Sequence, residues 1–141
     1  MKSALKVLAL LVIIVTASCK KDFKETQERT VLLTKPSGWL QLKLEQKSPT
    51  GTWLDITGNP LPSEKDNALI FDPWYGWTIN EGALKLPGSG QVIASGTWSF
   101  VDKGVQIKDG NLMEISELTE TSLIVIVNSA TGSYRYTYGH P

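Results

Sequence analysis

The chain has 141 residues, with 14 basic and 14 acidic side chains, a formal net charge of zero, one cysteine and one histidine. That balance gives no electrostatic footprint for nucleic acid. A lone cysteine closes no intramolecular disulfide, and with one histidine beside it the usual zinc sites are excluded.

Lys2 and Lys6 precede the unbroken apolar run Val7–Val15, which reads as the charged and hydrophobic regions of a secretory signal. The run falls well short of the roughly 20 apolar residues a spanning helix needs. Thr16, Ala17 and Ser18 lead from it into Cys19. This junction resembles the lipobox of bacterial lipoproteins, with Ala17 and Ser18 at the small-residue positions and Thr16 where the family usually carries a larger aliphatic side chain. The resemblance implies that residues 1–18 are a signal peptide and that Cys19 becomes the lipid attachment site. It would carry diacylglycerol and an amide-linked acyl chain such as palmitate, and would hold the protein on the outer membrane, on its periplasmic or cell-surface side. Two or three acyl chains on one residue anchor stably where one binds only marginally. Ordinary secretion, leaving a free thiol on Cys19, is the alternative.

Residues 19–30 are charged and nearly free of bulky apolar side chains, which describes a tether. A short helix is expected at Glu28–Leu33, stopped by Pro36-Ser37-Gly38. Residues 31–141 then form one domain, large enough to fold as a monomer around a single core.

Leu40, Leu42 and Leu44 alternate with Gln41, Lys43 and Glu45, predicting a strand with the leucines inward. A second strand is expected at Thr52–Thr57 and a polar loop at Leu61–Asn67. Ala68–Asp72 and Trp77–Asn80 flank a turn at Pro73-Trp74-Tyr75-Gly76. A weak strand at Ala83–Leu86 precedes the loop Pro87-Gly88-Ser89-Gly90. Gln91–Val101 and Val105–Lys108 follow, joined by a turn at Asp102-Lys103-Gly104, and Asp109-Gly110 is a strong hairpin signal. Leu112–Leu118, Leu123–Asn128 and Tyr134–Tyr138 complete an antiparallel meander. Leu123–Val127 is apolar on both faces and should be the most buried strand. The pattern is all-β, with eight or nine strands and hardly any helix.

With the strands placed, the chain resembles the lipocalin-like lipoproteins of Gram-negative bacteria. Val31-Leu32-Leu33 leads into Gly38-Trp39, and Gly51-Thr52-Trp53-Leu54-Asp55 follows. Lys65-Asp66-Asn67-Ala68-Leu69-Ile70-Phe71, Gly96-Thr97-Trp98-Ser99-Phe100 and Ile115–Leu123 recur in matching order. The family often has a cysteine before the Lys-Asp pair, where this chain has Ser63-Glu64, and Gly38-Trp39 replaces Gly-x-Trp. The resemblance implies a small antiparallel up-and-down barrel with a short N-terminal helix. It implies no particular activity, because such a fold hosts many.

No catalytic set emerges. His140, next to last, reads as an exposed tail residue, so Ser-His-Asp and Cys-His chemistry lack a base. Glu114 and Glu117, three apart on one strand, should face opposite sides and cannot pair as a glycosidase does. No metal or cofactor is expected, and binding rather than catalysis is the expected role.

The aromatic residues carry more. Trp39, Trp53 and Trp98 are expected in the core. Trp74, Tyr75 and Trp77 crowd one hairpin, and Tyr134, Tyr136 and Tyr138 share one strand face, inside or outside. Trp74, Tyr75, Trp77 and Tyr136 are therefore the candidate ligand-binding residues. The partner would be a small apolar or amphipathic molecule in the barrel mouth, or a glycan or envelope protein on the hairpin.

Overall fold

The computed structural model of the chain describes residues 25–85, 87–102, 104–107 and 112–141. The signal segment, Cys19 and the rest of the first half of the tether (19–24), Leu86, Lys103 and the Asp109-Gly110 turn lie outside the described residues, and the second half of the tether, 25–30, is helical. Leu32–Pro141 forms one compact unit.

Residues 25–33 are helical (α1), and the turn at Pro36-Ser37 ends in Gly38 at φ +70°. A side chain is barred there, because its Cβ would stand 2.6 Å from Ile70 Cγ1 and 2.9 Å from the Leu69 carbonyl. Nine strands follow: β1 Trp39–Lys47, β2 Trp53–Asp55, β3 Ala68–Phe71, β4 Gly76–Asn80, β5 Val92–Val101, β6 Gly104–Ile107, β7 Leu112–Leu118, β8 Ser122–Ser129 and β9 Gly132–Gly139. Consecutive strands from β3 to β9 pair antiparallel, and β1 pairs with both β3 and β9. The sheet therefore closes into an eight-stranded up-and-down barrel, with β2 as an extra strand on β1. Closure leaves the eight barrel strands no long free edge.

The register decides which residues face in, since direct partners share a face. Gln41 opposes Tyr138, which opposes Leu123; Leu44 opposes Tyr136, which opposes Val125. Leu123 and Val125 are almost fully buried, so all three tyrosines of β9 point into the barrel. In β8 the inward Leu123 and Val125 are buried and the outward Ile124 and Ile126 half-buried. Its end is exposed, however, and β3, with no exposed residue, is at least as buried.

Around the start of β1 the interior is filled. Trp39 is fully buried and its Nε1 donates to the Leu33 carbonyl at 2.9 Å. Trp98 meets Phe71 and Phe100 edge-on, with ring centroids 5.7 and 5.1 Å apart. Such edge-to-face contacts add to the burial of the rings themselves.

Several expectations are corrected. The leucines of β1 do not share one core face: Leu40, opposite Gly139, faces out, Leu42 sits in a bulge between Gln41 and Lys43, and Leu44, opposite Tyr136, faces in as expected. Gln41 faces in, Leu42 is 63% exposed, and Glu45, on the outer face, is 5% exposed because neighbouring side chains cover it. Trp53 is also on the outside, half-buried beneath the Arg135 guanidinium at 4.7 Å. A bulge between Ile115 and Glu117 gives Glu114 and Glu117 the partners Ile126 and Ile124, so both face outward instead of opposite ways. The polar loop contains a short helix, α2 (Pro62–Lys65), whose Glu64 carboxylate accepts from the Leu61 N–H at 2.8 Å. Ala83 and Leu84 are in a turn, not a strand, and the Asp66 carboxylate takes the Leu84 N–H at 3.0 Å. His140 is no free tail. Its Nε2 is 2.8 Å from Ser37 Oγ, its N–H reaches the Thr121 carbonyl at 3.1 Å, and its ring meets Trp39 edge-on.

Candidate functional site

The barrel wall is thinnest between β1 and β3. Their ladder has only two pairs, Trp39↔Leu69 and Leu40↔Ala68, before β1 continues toward β2 and the chain preceding β3 loops away. Thr57 substitutes for the missing strand. Its hydroxyl accepts from the Leu44 N–H at 2.9 Å and lies 3.3 Å from the Leu44 carbonyl, while the Ile56 N–H donates to that same carbonyl at 2.9 Å.

Beneath this span lies a cavity of about 720 Å³. That is within the 300–1,000 Å³ typical of small-molecule sites. Its deep wall is Leu69, Ile79 and Tyr138, all inward-facing, and the exposed Gln41 and Leu42 from the bulge of β1 stand at its edge. Loop 57–60 and α2 form the rim, where Glu64 and Lys65 stand side by side. The bulge puts a polar and an apolar residue next to each other at the cavity, which strict alternation would have separated.

Burial raises the pKa of the Tyr138 phenol far above its ordinary value, so the phenol stays neutral through the physiological range. Tyr136, stacked on Tyr138 at 6.2 Å, is raised too, first by burial and then by Tyr134. Among the described residues, no group of three or more histidine, cysteine, aspartate or glutamate side chains is placed to hold a metal ion.

The four candidate ligand-binding residues do not form one site. Trp74 is 89% exposed at the tip of the β3–β4 hairpin. Tyr75 follows at φ +67°, rare for a non-glycine residue, with its ring 5.3 Å from Trp98. The Asp72 carboxylate fixes the turn by accepting from the N–H groups of Trp74 at 2.7 Å and Gly76 at 3.2 Å. Trp77 points the other way, against the core, and opposes Gly96, where an added Cβ would stand 2.7 Å from the indole nitrogen. Tyr136 is inside the barrel beside Tyr138. None of the four lines the cavity. The lining residues Gln41, Leu42, Leu69 and Ile79 carried no signal in the sequence beyond belonging to strands. Tyr138 was legible only as one of three tyrosines on a face.

No family model, curated protein or solved structure matches this chain.

Proposed function

We propose that the protein is a non-catalytic lipoprotein, anchored to the outer membrane through acylated Cys19, whose lipocalin-like barrel holds a small apolar or amphipathic molecule. The observation that carries the binding part is the cavity between β1 and β3, with an apolar deep wall and a polar rim. The fold supports it: an eight-stranded barrel is just wide enough to be filled by side chains or to hold one small ligand, and here one part is filled while another is open. The anchoring part rests on the sequence alone, on the run Val7–Val15 and the junction Ala17-Ser18-Cys19.

Native mass spectrometry of the protein taken from its own cell envelope tests the binding part. The expected result is a complex carrying an additional small molecule of fixed mass besides the attached lipid; a protein with its acyl groups alone would overturn it. Labelling with a fatty-acid analogue tests the anchor: Cys19→Ala should abolish the label and release the protein from membranes.

One observation favours a second reading, a surface module for glycan or an envelope protein. The turn that displays Trp74 is tied down by Asp72, and a rigid, exposed indole is a ready stacking platform. Glycan-array binding that disappears in Trp74→Ala would establish it.

A further inference from the structure

Resting on the cavity-binding reading, the geometry points to a more specific ligand class: we infer that the cavity selects an uncharged amphiphile, with an apolar body on Leu42, Leu69 and Ile79 and a hydroxyl or amide group held between Tyr138 and Gln41. Tyr138 and Gln41 are direct partners across the β1–β9 ladder, both face inward, and both line the cavity. Neither side chain has a hydrogen-bond partner among the described residues, although Tyr138 is only 9% exposed. A phenol without a protein partner at the cavity wall is free to give a hydrogen bond to a ligand or accept one from it. Together the pair offers an O–H donor, an amide donor and an amide acceptor, which matches a group that both donates and accepts.

The charge distribution argues against an anionic head. Glu64 and Lys65 stand together at the rim, so the mouth has no net field to draw in a carboxylate. The groups deep in the cavity are neutral, and the Tyr138 phenol stays so. An anion taken to that depth would lose its hydration without gaining a counter-charge.

The test compares dodecanol with dodecanoate at neutral pH, binding each to the whole chain carrying Cys19→Ala, so that no attached acyl chain competes. Dodecanol should bind more tightly. Tyr138→Phe and Gln41→Leu should each weaken dodecanol by roughly three- to tenfold, the net worth of one hydrogen bond, and leave dodecanoate unchanged. The two variants come from different strands, so a folding defect in one leaves the other as the readout. If dodecanoate binds as tightly as dodecanol, or if both folded variants keep full affinity for dodecanol, the polar selection is overturned while the cavity reading stands. Binding of neither probe overturns both.

Discussion

Arg135 Nε donates to the Glu45 carboxylate at 2.6 Å, and the two residues are direct partners in the β1–β9 ladder that closes the barrel. Lys43 takes the other carboxylate oxygen at 2.8 Å, and the Arg135 guanidinium covers the Trp53 ring. A charge-assisted cluster thus spans the seam between the first and last strands. Such bonds are shorter and stronger than neutral ones, and here they fix register between residues far apart in the chain.

The pH dependence of stability should report this cluster. The hydrogen bonds from Arg135 and then Lys43 lower the Glu45 carboxyl from an ordinary value of 4.5 to about 2. Because the folded value is the lower one, the carboxylate stabilises the fold fully above the unfolded value. That contribution disappears as pH falls from about 4.5 toward 2. Glu45→Gln should lower the melting temperature at neutral pH and flatten the acid limb of the stability curve across that window. An acid limb unchanged in the variant would count against the seam.

Trp39 should be the most sensitive indole. It is fully buried, and its Nε1–H meets the Leu33 carbonyl at 2.9 Å. Trp39→Phe keeps most of the ring but orphans that carbonyl, a loss of about 1–3 kcal/mol. Trp39→Ala should cost about 3–5 kcal/mol, as for other buried aromatic deletions. Thermal or denaturant unfolding checks both, and a Trp39→Phe variant of unchanged stability would count against the bond.

Trp74 and Trp77, three residues apart, should behave oppositely. Trp74→Ala should change stability by no more than about 0.5 kcal/mol, as at other exposed positions. Trp77→Ala should cost roughly 2–3 kcal/mol, somewhat below a fully buried tryptophan. Gly96→Ala should also destabilise, by about 1–3 kcal/mol, because the new methyl meets the Trp77 indole. Equal losses at Trp74 and Trp77 would contradict the opposed orientations.

The hairpin shows where a sequence reading reaches its limit. Trp74, Tyr75 and Trp77 are adjacent in the chain, and adjacency suggested one aromatic surface. Backbone geometry divides them, because Tyr75 at φ +67° turns the chain so that Trp77 enters the barrel while Trp74 leaves it. In β1, strict alternation predicted one inward leucine row, and a single extra residue at Leu42 breaks it, so that Leu40 faces out while Leu44 faces in. Bulges arise from pairing with a partner strand and leave little mark on local composition. His140 looked like a loose tail because its partners, Ser37 and Thr121, are distant in sequence.

By itself the sequence determined the strand-rich class, the meander order of the C-terminal half and the burial of Leu123–Val127, because these follow from side-chain periodicity and local turn chemistry. It also placed Tyr134, Tyr136 and Tyr138 on one face, since alternation along a strand is a local property. Only the tertiary structure decided that this face is the interior, that β9 closes onto β1, and that a cavity opens where β3 parts from β1. Those features depend on which strands meet and in what register, and pairing between distant segments is settled by the closure of the whole sheet.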